Sequence, residues 1–199
     1  MLKKTAFTAL LVVATCVISC AQQGESQRPS PPAQAQCAFS DGKTITVNYS
    51  SPRMRGRKIF GELVPYGEVW RTGSNEATTF VTNENFITVN GNIPAGSYTI
   101  FTVPNPDKWT LIINKHTGEW GIPYKYESEE LARVPMSVTK LSSPVENFTI
   151  SFDQTGGSCT MRISWENTQA SVELTEKNAD VPVKALHKAV QIKKEKPQN

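Results

Sequence analysis

The feature that most limits the fold of this chain is a period-two alternation of apolar and polar residues. Ile45, Val47 and Tyr49 alternate with hydroxyl and amide residues, as a half-buried β-strand requires. Comparable short runs recur at residues 78–82, 86–89, 98–103, 109–113, 136–141, 147–152, 160–165 and 170–174. The pattern therefore predicts about eight or nine short strands.

The segments between these runs are short and rich in turn-forming residues. Residues 90–91 (Asn-Gly) and 156–157 (Gly-Gly) are typical of tight hairpins, and no helical segment between strands is long enough for a parallel crossover. We predict an all-β fold, a single antiparallel β-sandwich or barrel-like domain with little helix. Short helices are expected only at residues 126–133 and 183–192.

Residues 1–20 have the form of an export signal. Lys3 and Lys4 precede an apolar run over residues 6–18, which is too short to span a bilayer comfortably. Residues 17–20 resemble a lipobox, in which Cys20 is acylated and becomes the first residue of the mature chain. We favour a lipoprotein anchored in the cell envelope, facing the periplasm or the cell surface. The alternative is a cut after Ala21, which would release a soluble periplasmic or secreted protein.

The rest of the chain divides into three parts. Residues 21–36, rich in Gln, Ser, Pro and Ala, are predicted to be a disordered tether, residues 37–180 the β domain, and residues 181–199 a basic, loosely ordered tail. Between residues 21 and 180, 14 Lys and Arg face 17 Asp and Glu, so the net charge of +3 comes from the ends of the chain. We therefore expect no nucleic-acid partner.

Two cysteines remain in the predicted β domain, Cys37 and Cys159. Thiols outside the cytoplasm are usually oxidised, so we predict one disulfide. Cys37 stands just ahead of the first predicted strand and Cys159 at the start of a late one, so the bond would need those two strands to lie side by side. Two buried free thiols are the alternative.

The stretch at residues 56–79 follows neither a helical nor a strand period. Glycines and a proline set unusual backbone geometry there, while Arg57, Arg71, Asn75 and Glu76 supply charged and amide groups that a plain loop does not need. This combination predicts a polar cleft.

Three arginines at alternate positions precede and enter this stretch: Arg53, Arg55 and Arg57. An extended backbone would direct all three to one face, and guanidinium groups bind carboxylate and phosphate bidentately. An anionic ligand is the functional interpretation. A solvated sheet edge is the structural one, and we prefer it for Arg55.

The same stretch carries a family resemblance. Residues 56–61 run Gly-Arg-Lys-Ile-Phe-Gly, residues 63–67 Leu-Val-Pro-Tyr-Gly, and residues 69–73 Val-Trp-Arg-Thr-Gly, followed by Asn-Glu-Ala-Thr. These runs resemble the signature of a bacterial family, domain of unknown function 2911, and the resemblance continues through residues 94–98 and 109–114. It adds weight to Arg57 and Lys58 as ligand-binding candidates but implies no reaction or ligand.

Aromatic side chains near the arginines complete the set of candidates. Tyr66 or Trp70 could stack on a ligand held by Arg71, Asn75 and Glu76, and Trp120 could form a further contact. A structural alternative has Arg71 and Glu76 as an ion pair, Asn75 closing a turn and Trp70 filling the core.

The favoured function is a non-catalytic binding module for a small polar or anionic ligand or an envelope component, held at the membrane by a lipid anchor. One alternative is a hydrolase with Glu76 as general base, which requires burial that raises the pKa of its carboxyl group toward neutrality. Another is a structural envelope protein that binds a second protein. With two histidines, no zinc-ligand spacing and no nucleophile motif, we expect no metal and no cofactor.

Overall fold

Strands form where the sequence alternates, and every pairing between them is antiparallel. The computed structural model describes residues 28–118 and 120–177. Within this part the strands are β1 (Pro32–Ala38), β2 (Thr44–Ser50), β3 (Thr79–Thr82), β4 (Phe86–Thr88), β5 (Gly91–Ile93), β6 (Gly96–Val103), β7 (Lys108–Asn114), β8 (Glu130–Thr155) and β9 (Ser158–Glu176). The expected all-β antiparallel fold is confirmed.

The nine described strands make one sheet in the order β1-β2-β3-β6-β7-β8-β9-β4-β5. Although β1 and β8 are separated in this order, they pack against each other, so the sheet folds over on itself. The alternating apolar residues of the two halves meet inside it and form a single core that includes Ile45, Val47, Phe80, Ile100, Leu111, Phe148 and Ile163. Burial of each such side chain contributes about 1.5–3 kcal/mol to stability.

Two strands are much longer than expected. The predicted runs at 136–141 and 147–152 both belong to β8, and those at 160–165 and 170–174 both belong to β9. The pairing between β8 and β9 shifts register on either side of Val145. Pro144 lies at this point, and its missing amide hydrogen interrupts the ladder without ending the strand.

Other differences lie at element boundaries. β1 begins at Pro32, inside the segment 21–36 that we expected to be a tether, because its small apolar residues alternate with glutamines and pair along all of β2. The expected helix at 126–133 is reduced to a 3-10 turn at Glu127–Glu129, since the residues that follow pair with β7. β5 is too short to show an alternation. No helix within residues 28–118 and 120–177 is long and apolar enough to cross a membrane.

Cys37 and Cys159 form the expected disulfide, with their Cα atoms 6.5 Å apart. The expectation that the first predicted strand (β2) and the strand of Cys159 (β9) lie side by side was wrong, and β1, which carries Cys37, is not a neighbour of β9 either. The bond instead crosses the interior, where the folded sheet brings the inner faces of the two strands together and both cysteines are buried.

Several predictions of the sequence concern residues that are outside the described part. They are the export signal at 1–20, lipidation at Cys20, residues 21–27 of the tether, the helix at 183–192 and the basic tail at 181–199. All of these stay predictions.

Candidate functional site

A groove of about 340 Å³ lies between residues 29–30, the turn at 52–57 and the loop at 63–74, with Ile122 and Trp165 of β9 also in its lining. Its volume is within the range of small-molecule sites. Four arginines line it, Arg53, Arg55, Arg57 and Arg71, and none of the described lining residues carries a carboxylate. We call this feature the arginine groove.

A tight turn, rather than an extended strand, brings the first three arginines to the groove. Arg55 and Gly56 have φ values of 51° and 68°, and the left-handed region favours glycine at the second position. Glu146 on β8 holds the turn in two ways. Its carboxylate accepts the amide hydrogen of Arg55 at 2.9 Å, and its carbonyl accepts that of Met54 at 2.8 Å. The three side chains therefore line one groove, and a tight turn takes the place of the extended backbone that the sequence suggested.

The guanidinium groups on this turn differ in how they are held. Arg57 donates to the carbonyl oxygens of Met54 and Arg53 at 3.0 and 2.7 Å, which fixes its side chain across the turn. Arg55 makes one long contact, 3.5 Å to the carbonyl of Pro29. Arg53 has no side-chain hydrogen bond or ion pair with any described residue, so its guanidinium can take a ligand without first leaving another partner.

Arg71 enters the groove from the following loop. Its Nη1 donates to the carbonyl oxygens of Asn75 and Trp120 at 2.6 and 3.1 Å, and the guanidinium lies 5.7 Å from the centre of the Trp120 ring. Burial lowers the pKa of Arg71, but arginine starts so high that the group stays charged. Arg71 is therefore a fixed, half-buried cation, and it does not pair with Glu76.

Gly73 allows the loop around Arg71 to close. Its φ is 154°, and a Cβ at this position would lie 3.1 Å from both the carbonyl of Ser50 and the hydroxyl of Thr78. The carbonyl of Gly73 accepts the indole N–H of Trp70 at 3.1 Å. The loop thus orients Trp70, which lines the groove, by direct contact.

The floor of the groove is apolar and rests on an aromatic cluster. Trp70 and Trp165 stack with ring centres 6.0 Å apart and planes 16° apart, and Phe60 and Phe148 pack edge-on against both. The carboxylate of Glu166 accepts the amide hydrogens of residues 59 and 60 at 3.4 and 3.3 Å. This contact ties residues 59 and 60 to β9 beside the aromatic cluster.

The chain that leads into β1 forms one wall. Pro29 and Ser30 line the groove, and Asn75 donates its side-chain N–H to the carbonyl of Ser30 at 3.1 Å. Glu76 pairs with Arg28 at 3.1 Å, and both side chains are exposed. A hydrogen bond from its own backbone amide, aided by Arg28, holds the pKa of Glu76 below its ordinary value. The two polar residues of the signature thus hold a wall.

The remaining candidates lie outside the lining. Lys58 pairs with Glu62 at 3.1 Å on the surface, and the ring of Tyr66 covers Gly61, where a Cβ would come within 2.8 Å of it. Trp120 is 57% exposed and touches the groove only through Arg71. Of the eight ligand-binding candidates, Arg57, Trp70 and Arg71 line the groove.

The sequence missed part of the apolar lining, namely Leu63, Val64, Ile122 and Trp165. Trp165 belongs to an alternating run that predicted only a strand, and its distance along the chain gives no sign that it meets Trp70. Within the described residues, no group of three or more His, Cys, Asp or Glu could hold a metal ion.

We expect Glu76→Gln to loosen the wall without unfolding the protein. Removing the charge breaks the pair with Arg28, and an exposed pair contributes less than about 1 kcal/mol. The amide of Ser51, which donates to Pro31 at 2.8 Å, should then exchange its hydrogen several-fold faster. Glu62→Gln, which breaks a similarly exposed pair, is the matched control and should leave this exchange unchanged. An unaltered rate in Glu76→Gln would contradict the role of Glu76 in the wall.

Comparison with known proteins places these elements in a family. No curated protein and no solved structure matches the chain. The model of one family, described as a protein of unknown function, DUF2911, matches residues 30–174. This range runs from the wall at Ser30 to Leu174 in β9 and includes every arginine of the groove. The chain therefore belongs to the DUF2911 family.

Proposed function

We propose that this protein is a non-catalytic binding module of the cell envelope, which holds a small anionic ligand with an apolar body in the arginine groove. The observation that carries the proposal is the presence of four lining arginines with no carboxylate among the described lining residues. Like charges held together at a partly desolvated surface repel one another, and a bound anion offsets that repulsion.

The arrangement of the groove suits such a ligand. Arg57 and Arg71 are already held by backbone carbonyls, so little side-chain entropy is lost when they meet an anion. Arg53 offers a guanidinium fork to a carboxylate or phosphate. The apolar lining at Trp70 and Leu63 is a complementary surface for the apolar body of the ligand.

The hydrolase alternative is less well supported. A general base needs a carboxylate whose pKa is raised by burial, whereas Glu76 is exposed, pairs with Arg28 and has a lowered pKa. Its position in the wall offers a structural reason for its presence.

Export and lipid anchoring are also part of the proposal. They are supported by the apolar run at residues 6–18 and by the lipobox-like residues that end at Cys20. Cys20 and Arg28 are eight positions apart in the sequence, a reach of at most about 29 Å. An acyl group on Cys20 would hold the arginine groove near a membrane surface.

The test is a titration of the full chain with 2-naphthoate and with its uncharged analogue 2-naphthamide, followed by calorimetry or tryptophan fluorescence. We expect 2-naphthoate to bind saturably and at least about tenfold more tightly, because hydrogen bonds to charged groups are worth roughly 1.5–3 kcal/mol. Arg53→Gln should weaken 2-naphthoate by about tenfold without changing stability, since this side chain has no partner among the described residues.

Lys108→Gln is the matched control, because Lys108 is an exposed cation outside the groove lining. It should leave the affinity for 2-naphthoate unchanged. Equal affinity for the acid and the amide, or equal losses in the two variants, would overturn the proposal.

A further inference from the structure

The rim of the arginine groove is apolar as well as basic. Leu63 and Ile122 line the groove yet remain 46% and 41% exposed, and Trp120, which carries Arg71 over its ring, is 57% exposed. Large apolar side chains exposed together are uncommon on a soluble surface. Their placement beside arginines matches the composition of surfaces that lie at a membrane interface, where aliphatic and indole groups enter the acyl boundary and cations meet headgroups.

The chain leaves the described domain at this same surface. Pro29 and Ser30 form a wall of the groove, and the 27 residues before Arg28 contain the apolar run at 6–18 and Cys20. The segment that would carry any attachment to a bilayer therefore joins the domain on the side of the groove.

We infer that the arginine groove and its apolar rim dock on the bilayer and take the headgroup of an anionic phospholipid. The phosphodiester accepts hydrogen bonds from Arg53 and Arg55, and the start of the acyl chains lies against Leu63, Ile122 and Trp120. This inference rests on the proposed function, because it names the anion that the groove binds.

Charge complementarity favours this occupant over a zwitterionic lipid. The described lining offers four guanidinium groups and no carboxylate that could receive a choline or ethanolamine. An anionic headgroup also brings a concentration of negative surface charge, and each basic residue near such a surface adds to the attraction. Removing two arginines should therefore abolish the preference for anionic lipid.

The test uses the full chain reconstituted in vesicles of phosphatidylcholine that contain one third phosphatidylglycerol. Two preparations are compared: one carries bromine on the acyl chains of phosphatidylglycerol, the other on those of phosphatidylcholine. Bromine quenches indole fluorescence only at contact distance. Subtracting the spectrum of Trp120→Phe from that of the unmodified chain gives the signal of Trp120. We expect bromine to quench Trp120. Brominated phosphatidylglycerol should quench it at least about twofold more strongly than brominated phosphatidylcholine. The double variant Arg53→Gln/Arg55→Gln should lose this difference, and Leu63→Ser should reduce the quenching by both lipids.

Val89→Ser is the matched control for Leu63→Ser, because Val89 is similarly exposed but lies outside the groove lining. It should leave the quenching unchanged. Absence of Trp120 quenching, equal quenching by the two lipids, or a chain that does not float with the vesicles would overturn the inference.

A second measurement separates the two proposals. If 2-naphthoate or glycerol 1-phosphate binds the same preparation while Trp120 is not quenched, the groove serves a soluble anion, and the inference fails while the proposed function stands. If neither anion binds and Trp120 is not quenched, both fail.

Discussion

Replacing Cys37 and Cys159 together by alanine is expected to lower the free energy of unfolding by about 4 kcal/mol. The two residues are 122 positions apart in the sequence, so the bond constrains a long loop of the unfolded chain, and the entropy model gives about 4.7 kcal/mol for a loop of about 100 residues. Both cysteines are buried in the core, and alanine fills most of their space. Urea unfolding of the two proteins measures the difference.

Reduction of the unmodified chain is the control for this experiment. A reductant should bring its stability down to that of the double variant and leave the variant itself unchanged. A loss below about 1 kcal/mol in the double variant would contradict the expectation, since the loop-entropy model requires several times that amount.

Trp165→Ala is expected to cost about 3–5 kcal/mol, the usual range for deleting a buried tryptophan. Trp165 is only 1% exposed, stacks on Trp70 and meets Phe60 and Phe148 edge-on. Its removal leaves a cavity below the groove floor, so Trp70 should lose its orientation and the affinity for 2-naphthoate should fall as well. Chemical unfolding and the naphthoate titration together measure the two effects.

Trp120→Ala is the matched control, because it deletes the same side chain from an exposed position. It should change the free energy of unfolding by less than about 1 kcal/mol. Similar losses in the two variants would show that burial at Trp165 does not support the floor.

The fold was largely predictable because its cause is local. The alternation at Ile45, Val47 and Tyr49 directs every second side chain inward, and the turn residues between runs leave only antiparallel neighbours. What the alternation cannot give is the pairing order. Whether β4 joins β3 or β9 depends on contacts between residues far apart in sequence, such as Phe86 with Glu176.

The residue types that line the groove were more predictable than its geometry. Arginines close together in the sequence indicated an anion site, and Arg57 and Arg71 line the groove. The partner of Glu76 was not predictable. Arg28 is 48 residues away in the sequence, and nothing in the sequence around Arg28 marks it as that partner. Trp165 entered the floor for a similar reason, through the return of β9 beneath the signature stretch.

The wall and the floor come from opposite ends of the described chain, and this has a consequence for when the protein can bind. Ser30 supplies the wall and Trp165 the floor, so a growing or partly threaded chain holds only fragments of the groove. The disulfide that joins Cys159 to Cys37 on β1 forms only in an oxidising compartment. If the proposed function is right, a ligand should therefore bind only after the chain has been completed through Trp165 and β9 has packed beneath Trp70.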